Sequence, residues 1–521
     1  MERTSKRVVF KPYQMGQMAL LPPSLEELIP EKHLVRVINE LVEEMEMKPI
    51  LEQYKGGGTS SYHPRMMLKI LIYAYTKQIY SSRQIGNALR ENIHFMWLSA
   101  GNQPDFRTIN RFRGQILKEC IQPIFAEVIT YLAKNKLVQL ERYFVDGTKI
   151  EADANKYSFV WKKSTDKYRA NLDKKIKELF EEIDALNQAE DAQYGEKDLE
   201  EMGEESEIDS EELKELAERL SEKLKEKPKD KDLKKAIKKL ERDYIPRKEK
   251  YERYARLFSG RNSFSKTDTD ATFMRMKDDH MRNRELKPGY NIQIGTENQY
   301  IIGFSTHQNA TDSPCLSEHL RQVKENLGFL PAKIIADAGY GSEENYLQLE
   351  QENLEAFVKY NTFYQEQKKR RKIKEKEKYY ARNFKYDEKR DEFICPQGQR
   401  LIYEKTILTK TDNGFASERR IYRGQECAVC PAREQCTRSK NGRSIQYSPR
   451  LNRFRQEASK RLTSPEGIQL CSQRLIEAEA VFGLLKNNLK FRRFHLRGKE
   501  KVNAEWGLLS IAHNMIKMAA A

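Results

Sequence analysis

Two carboxylates follow short apolar segments of this sequence. Residues 334–336 are apolar and lead into Asp337, after which a glycine-containing turn begins. Residues 143–145 likewise lead into Asp146, which a glycine follows. Apolar runs of this length predict buried strands, so both aspartates are expected at strand ends, where a ligand can reach them. Carboxylate oxygens suit hard divalent cations, and a basic protein could hold such cations against a phosphate backbone.

A third carboxylate lies on a helix predicted over residues 474–486. Glu479 and Lys486 are seven residues apart on it, so they lie two turns apart on one face. Three carboxylates and a lysine suit phosphodiester transfer, in which two Mg²⁺ ions about 3.5–4 Å apart activate the attacking oxygen and stabilise the leaving one. The alternatives to these carboxylates are Asp153, Asp268, Asp312 and, in place of Glu479, Glu477.

Four of the seven cysteines lie together in one later segment. They are Cys395, Cys427, Cys430 and Cys436. Residues 401–403 and 420–422 between them are predicted to be strands of a small ribbon. Four thiolates brought together by turns suit a tetrahedral structural Zn²⁺ site, and the alternative is four reduced thiols without a metal. The odd total makes a disulfide framework a poor interpretation. The other three cysteines, Cys120, Cys315 and Cys471, are expected to pack in helical surroundings.

The composition favours a polyanionic partner. The chain has 521 residues, a formal net charge of +16 and a pI of about 9.2, which favours nucleic acid, although a merely soluble basic protein has the same charge. Its length predicts two to four structural units. No apolar stretch approaches the roughly 20 residues of a membrane span, and the first residues lack a signal-peptide core. We therefore expect a cytosolic protein without a membrane partner.

The N-terminal part, from about residue 30 to 135, is predicted to be helical. A capped helix start at residues 81–89 and a turn followed by a basic helix at residues 104–113 fit a helix-turn-helix that docks on DNA. A helical bundle with a basic outer face is the equal alternative. Together with the C-terminal basic positions, the candidate DNA-binding residues are Arg83, Arg107, Arg111, Arg113, Arg474, Arg492, Arg493 and Arg497.

A mixed sheet flanked by helices is predicted for the middle of the chain, with a long insertion. The Lys/Glu-rich segments 172–186, 211–224 and 233–254 have the spacing of long amphipathic helices. This arm could serve dimerisation, DNA clamping or only spacing. Its acidic patch, residues 196–212, is predicted to be a mobile loop. The basic run at residues 367–378 is expected to contact phosphate.

These motifs together resemble a DDE transposase of bacterial insertion sequences, in the group with a tyrosine-arginine-glutamate-lysine signature. The resemblance spans nearly the whole chain and implies a ribonuclease-H-like α/β core. It makes Asp146, Asp337 and Glu479 the three catalytic, metal-binding carboxylates, and Lys486 the signature lysine. The signature expects its arginine at position 475 and its tyrosine at position 472, where leucine and serine stand. Arg474, one residue away, is the candidate substitute.

The resemblance also implies a domain organisation and a reaction. The units are a helical DNA-binding domain (1–135), the first parts of the core (136–160 and 285–362), an inserted coiled-coil-like arm (161–284), a basic segment with a four-cysteine ribbon (363–460) and C-terminal catalytic helices (461–521). The cofactors would be two Mg²⁺ or Mn²⁺ ions, and the partners terminal inverted repeats, target DNA and a second subunit, in the cytoplasm at the nucleoid. A non-catalytic DNA-binding derivative and a metal-dependent nuclease without strand transfer are the alternatives.

Overall fold

The computed structural model of the protein describes residues 24–54, 61–194, 209–226, 228–276, 285–367, 377–411 and 413–520. These residues form a mixed α/β protein. Most of the predicted acidic loop (196–212) and of the basic run (367–378) lies outside the described residues. The described end of the acidic patch is not a loop, because a helix begins at Ser210, where the Asp209 carboxylate accepts the backbone N–H groups of Glu211 and Glu212.

Seven helices build the N-terminal part, as predicted. They are α1 (Leu34–Glu44), α2 (Lys48–Leu51), α3 (Pro64–Thr76), α4 (Ser82–Glu91), α5 (Ile93–Leu98), α6 (Phe106–Arg111) and α7 (Leu117–Lys134). The two helices of the predicted helix-turn-helix are α4 and α6. They pack on each other, but α5 and a loop separate them in the chain. Helix α3 is buried along most of its length. Apolar residues of these helices and of the sheet that follows belong to one hydrophobic core.

The central sheet has six strands. In the described part of the chain, the first eight strands are β1 (Arg142–Glu151), β2 (Phe159–Trp161), β3 (Ser263–Ser265), β4 (Thr272–Arg275), β5 (Leu286–Glu297), β6 (Tyr300–His307), β7 (Lys333–Ala336) and β8 (Glu355–Val358). The order across the sheet is β4-β5-β1-β7-β8, with β6 also paired to β5. Strand β1 is antiparallel to β5 and parallel to β7. Strands β2 and β3 pair separately.

A helical arm separates β2 from β3. Its helices are α8 (Lys162–Tyr194), α9 (Ser210–Glu226), α10 (Lys231–Lys239) and α11 (Ile245–Phe258). The helical periodicity of the sequence is confirmed, because apolar residues of all four helices form a small hydrophobic core of their own. The arm therefore packs mainly on itself.

One helix follows each of the strands β6, β7 and β8, and a ribbon comes after the last of these helices. The helices are α12 (Leu316–Leu327), α13 (Glu343–Gln351) and α14 (Phe363–Gln367), and the ribbon comprises β9 (Lys385–Asp387), β10 (Glu392–Ile394), β11 (Arg400–Lys410), β12 (Ala416–Gly424), α15 (Arg433–Cys436) and β13 (Ser444–Tyr447). The buried Glu343 carboxylate joins the ribbon to α13, since it accepts hydrogen bonds from Ser417 (2.6 Å), Ser448 (3.0 Å) and Arg450 (2.6 Å).

The C-terminal helices close the core. They are α16 (Pro449–Leu462), α17 (Pro465–Arg474), α18 (Ala480–Gly483) and α19 (Lys499–Ala520), with π-helical turns at Leu475–Glu479 and Leu484–Asn488 on either side of α18. The helix predicted to begin at Arg474 thus begins at Pro465. Helix α19 is buried on nearly all sides because it packs against α3, α7 and β6. No helix in the described ranges is long and apolar enough to cross a membrane.

Candidate active site

The strand pairing brings the two predicted aspartates together. Asp337 follows the last residue of β7 and its carboxylate accepts the Gly339 backbone N–H (2.8 Å). Asp146 lies in the middle of β1 and not at its end, because β1 stays paired with β5 as far as Glu151. The parallel β7, however, pairs only with the first residues of β1, ending at Phe144↔Ile335. Continuing that register by two residues places Asp337, just past the end of β7, beside Asp146.

A buried tyrosine hydroxyl marks the place where the aspartates converge. Tyr340 is fully buried in the turn after Asp337. Burial raises the pKa of Tyr340 well above its ordinary value, and the carboxylates of Asp312, Asp146 and Asp337 raise it further. Asp312, which the sequence offered as an alternative assignment, therefore lies in the same cluster as the two preferred aspartates.

Arg474 links the first and third predicted carboxylates. Its guanidinium Nη1 lies 3.8 Å from Asp146 Oδ2, and its Nη2 donates to Glu479 Oε1 at 3.1 Å. The arginine side chain is only 9% exposed, and so is that of Asp146, whereas that of Glu479 is 50% exposed. Arg474 Nε and Nη1 are buried without a hydrogen-bond partner. The carboxylates of Asp146 and Glu479 therefore both lie next to the buried guanidinium group of Arg474.

A π-helical turn lies between Arg474 and Glu479. Residues Leu475–Glu479 form this turn, in which the backbone bonds run from i to i+5 instead of i to i+4. Residues five apart are therefore stacked along the helix, as residues four apart are in an α-helix. Arg474 and Glu479 are five apart and in hydrogen-bond contact. The π-helical turn thus brings Arg474 within hydrogen-bond distance of Glu479.

The rival glutamate has a different position. Glu477 Oε2 accepts the backbone N–H of Gln299 (2.6 Å) at the β5–β6 hairpin. Burial raises the pKa of Glu477, while that backbone hydrogen bond lowers it. Asn298 and Gln299 both have positive φ, as a tight hairpin turn requires. Glu477 thus supports the hairpin.

The three predicted carboxylates offer the kind of ligand atom that a divalent cation prefers, but the structure does not arrange them in the geometry of a metal site. Asp146, Asp337 and Glu479 supply only oxygen atoms, the ligands that Mg²⁺ prefers. Across the described ranges, no group of three or more His, Cys, Asp or Glu side chains has the geometry of a metal site. Lys486, predicted to act beside them, is buried in the second π-helical turn, and Arg492 Nε donates to its carbonyl oxygen (3.4 Å).

The predicted DNA-binding arginines fall into three groups. Arg83, Arg107 and Arg111, on α4 and α6, are exposed. Arg113 and Arg474 are buried: Arg113 donates to the Tyr80 carbonyl (2.7 Å) and to the Tyr75 hydroxyl (3.1 Å), so it stabilises the N-terminal helices instead of meeting DNA. Arg492, Arg493 and Arg497 are exposed on the run that follows the second π-helical turn. Two of these pair with Asp153, through Arg493 Nη2 (3.0 Å) and Arg497 Nε (2.8 Å).

The run 491–498 is fastened to the strand that carries Asp146. Phe491 and Phe494 point inwards and contact the ring of Trp506 edge-on. The backbone N–H of Phe494 donates to the Glu151 carbonyl (2.8 Å), five residues beyond Asp146. Aromatic residues therefore anchor this run, and its arginines lie on the surface near the end of β1.

The four predicted zinc ligands also converge. Cys395, Cys427, Cys430 and Cys436 line a single pocket of the ribbon. Burial raises the pKa of Cys436, and the other three thiols contribute to that shift. Backbone N–H groups of Gln397 and Gln399 donate to Cys395 Sγ at 3.4 and 3.3 Å, and that of Arg443 donates to Cys427 Sγ at 3.4 Å. Within the described residues, however, no three of these sulfur atoms have the geometry of a metal site.

Sequence reasoning missed the polar groups that support the aspartates. Asn291 and Gln293 are fully buried on β5, and their side-chain amides donate to Asp312 Oδ1 at 2.8 and 3.1 Å. The Tyr340 hydroxyl donates to Gln293 Oε1. The signal in the sequence was the alternation of amides with isoleucines along β5. Polar residues on the inner face of a buried strand need hydrogen-bond partners. Here those partners are Asp312 and Tyr340, which belong to the candidate site.

The fold and the site define a mixed α/β protein with a carboxylate cluster at the centre of its sheet and arginines around it. Two family models match the sequence: the transposase DDE domain over residues 394–519, and the transposase domain DUF772 over residues 23–115. Both models describe transposase domains, and they support the resemblance of the chain to the DDE transposases of insertion sequences. The first match includes Glu479 and Lys486, whereas Asp146 and Asp337 lie outside both. No curated protein and no solved structure matches the chain.

Proposed function

We propose that this transposase binds the terminal inverted repeats of its element, cleaves the DNA at the element ends and joins the released 3′-hydroxyl to target DNA in a metal-dependent reaction. The observation that carries the proposal is the meeting of three distant segments. The β7 register sets Asp337 beside Asp146, and Arg474 bridges Asp146 and Glu479. A cluster of this composition has little structural purpose, since buried like charges cost free energy unless a cation compensates them.

The roles follow from the position of each group. Asp146, Asp337 and Glu479 would hold two Mg²⁺ or Mn²⁺ ions, which when bound supply an activated water or 3′-hydroxyl and stabilise the leaving oxygen. Glu479 is half-exposed and can adjust its position, while the strands hold Asp146 and Asp337. Lys486, two turns further along the helix, would contact a phosphate beside the scissile bond.

The sheet supports a ribonuclease-H-like core. Renumbered along the chain, β1, β5, β6, β7 and β8 lie in the order 3-2-1-4-5, with the fourth and fifth strands parallel to the first. We accordingly propose the division into an N-terminal DNA-binding unit, an interrupted catalytic core, an inserted arm and a cysteine ribbon. The arm remains a candidate for dimerisation or DNA clamping.

The surface arginines would position the DNA. Arg83, Arg107 and Arg111 form one exposed set, and Arg492, Arg493 and Arg497 another nearer the carboxylates. Arginines bind phosphate oxygens well, and their contacts make binding salt-dependent. We propose that the first set helps bind the inverted repeat and that the second holds the strand to be cut. A homodimer on paired ends, acting in the cytoplasm at the nucleoid, completes the proposal.

We propose a structural Zn²⁺ for the ribbon. The four cysteines line one pocket and three backbone N–H groups point at their sulfur atoms. A bound Zn²⁺ would fix the ribbon, which is joined to α13 through Glu343. Helix α13 begins directly after the turn that carries Asp337 and Tyr340, so a stable ribbon would also steady the site.

The test uses DNA carrying the ends of the element that encodes the chain, with Mg²⁺ or Mn²⁺. Wild type should cut and join this DNA, Asp337→Asn should bind it without cutting, and Glu477→Gln, the matched control at the hairpin, should cut normally. Equal cutting by wild type and Asp337→Asn would show that the assigned site is wrong. Cutting without joining would indicate a nuclease, and end binding without cutting by wild type a non-catalytic DNA-binding protein.

A further inference from the structure

A buried carboxylate holds the backbone of the basic run 491–498. Glu505 lies on α19 and its side chain is fully buried. Its Oε2 accepts the backbone N–H groups of His495 (2.9 Å) and Leu496 (3.0 Å). Its Oε1 lies 3.1 Å from His495 Nδ1 and accepts the Tyr75 hydroxyl at 3.3 Å. Buried polar groups need partners, and here one whole oxygen of the carboxylate serves the backbone of the run.

The segment between β3 and β4 holds the next part of the run in the same way. Asp268 Oδ1 accepts the backbone N–H of Gly498 (3.3 Å), and Asp270 Oδ2 accepts that of Lys499 (2.9 Å). Carboxylates from two distant elements therefore fix the backbone on both sides of Arg497. These bonds use only backbone groups of the run, so they fix where its arginine side chains start without occupying them.

The fixed segment lies between two arginines of the second exposed set. His495 and Leu496 separate Arg493 from Arg497 in the chain, and the side chains of these arginines are 49% and 57% exposed. Both guanidinium groups reach the Asp153 carboxylate, so they are close enough to bind one anionic group together. A guanidinium has five N–H donors, so Asp153 leaves donors of each arginine for a phosphate. The conformation at residues 495 and 496 therefore sets the spacing of a two-arginine phosphate site.

Charge is a second reason for a carboxylate at this place. The Tyr75 hydroxyl, which donates to Glu505, accepts Arg113 Nη1 (3.1 Å), and the Arg113 side chain is buried. A buried cation needs a compensating charge, so Glu505 also stabilises the N-terminal helices through Tyr75. That role requires only Oε1 and involves no contact with the run. The two backbone hydrogen bonds at Oε2 therefore indicate a function beyond charge compensation.

We propose that Glu505 is a positioning residue of the DNA-binding surface. By holding the backbone at His495 and Leu496, it sets Arg493 and Arg497 at the spacing at which both contact phosphates of the strand to be cut. This inference rests on the proposed function, because it concerns how the second arginine set binds that strand. The role requires an acceptor oxygen and not a charge, so Glu505→Gln should preserve it and Glu505→Leu should abolish it.

The test measures binding of the full chain to a DNA duplex that carries the element end, by fluorescence anisotropy without divalent metal and over a series of salt concentrations. The slope of log K against the logarithm of the salt concentration counts the phosphate contacts, at about 0.9 per contact. Glu505→Leu should reduce the magnitude of this slope by about 1 to 2, the loss of one or two contacts. The double variant Arg493→Gln, Arg497→Gln should reduce it by as much, and adding Glu505→Leu to that variant should reduce it no further.

Two controls separate positioning from stability. Glu505→Gln keeps an oxygen that can accept both backbone N–H groups, so it should retain the wild-type slope, although it leaves Arg113 uncompensated and should lower the urea midpoint. Tyr75→Phe breaks the link to Arg113 without touching the run, so it should also lower the midpoint and retain the slope. Should Glu505→Leu not fold, Glu505→Asp keeps the charge near Arg113 but is shorter by a methylene group, and it should still reduce the slope.

The outcomes separate this inference from the proposed function. A folded Glu505→Leu or Glu505→Asp variant with the wild-type slope would exclude the positioning role, and so would a Tyr75→Phe slope reduced as far as that of Glu505→Leu. In either case the proposed function would stand, because cutting and joining by wild type and their loss in Asp337→Asn are measured separately. If the double arginine variant binds with the wild-type slope, the second arginine set does not contact DNA, and this inference fails together with that part of the proposed function.

Discussion

Replacing Arg474 by methionine should destabilise the protein and strengthen its metal binding. At an effective dielectric constant of about 20, unit charges at the 3.8 Å separation of Arg474 and Asp146 attract by about 4 kcal/mol. The contact with the half-exposed Glu479 adds at most about 1 kcal/mol. Methionine also relieves the cost of burying Nε and Nη1 without partners. Because breaking one side of a buried pair costs about 3–5 kcal/mol, we expect a net loss of about 3 kcal/mol.

The assay is urea unfolding with and without Mn²⁺, together with calorimetric Mn²⁺ titration. Without metal, Arg474→Met should unfold at clearly lower urea. With saturating Mn²⁺, part of the lost stability should be recovered, because the bound cation neutralises the charge of Asp146. The variant should also bind Mn²⁺ more tightly than wild type, because no guanidinium group competes for that carboxylate. We expect about tenfold tighter Mn²⁺ binding, which corresponds to about 1.4 kcal/mol.

The matched control is Arg493→Met, which removes an exposed pair with Asp153 and should cost less than about 1 kcal/mol. An Arg474→Met variant with wild-type urea midpoint and wild-type Mn²⁺ affinity would refute the electrostatic account of this site.

Three further predictions concern the fold and the ribbon. Gly295→Ala should lower the midpoint of thermal unfolding sharply, since a Cβ atom there would overlap the Tyr143 ring. Gly483→Ala has open space around it and should raise stability by up to about 1 kcal/mol. Equal unfolding midpoints of the two variants would contradict this prediction. Burial lowers the pKa of His319 to about 3, against about 6.5 in the unfolded chain, so between these values only the unfolded chain binds the proton. Stability should therefore fall by up to about 1.4 kcal/mol per pH unit as the pH drops below about 6.5, and urea titrations of His319→Gln should show a weaker dependence. Purified protein should contain one Zn²⁺ per chain by elemental analysis, and Cys430→Ser should lose it. If the wild type contains no zinc, and if adding a chelator does not lower its unfolding midpoint, the zinc proposal is wrong.

Local sequence patterns were sufficient for most of the elements. Apolar runs predicted β1 and β7, and helical periodicity predicted the arm. Periodicity does not reveal how many neighbours surround a helix, so the nearly complete burial of α19 was not apparent from the sequence. The continuity of β1 past Asp146 was also missed, since a polar residue within a paired strand looks locally like a strand end. Both properties depend on segments far away in the chain.

The arginines likewise differ in ways that local sequence does not reveal and that contacts between distant segments decide. Arg113 and Arg111 are alike in sequence, both basic residues of one predicted helix. The structure buries Arg113 against Tyr75 and Tyr80 and leaves Arg111 exposed. A guanidinium can either bind phosphate or satisfy buried carbonyl and hydroxyl groups, and only the packing of α3 against the later helices decides between these roles.

The candidate carboxylates could be chosen from the sequence, because apolar strands and the spacing of Glu479 and Lys486 are local properties. How these groups meet depends on the tertiary fold. The β1–β7 register aligned Asp337 with Asp146, and the π-helical turn brought Arg474 under Glu479. Packing of β5 against the turn at Tyr340 added Asp312, held by two buried amides. Those relations follow from strand register, helix geometry and long-range burial, which join residues far apart in the chain and which no local pattern encodes.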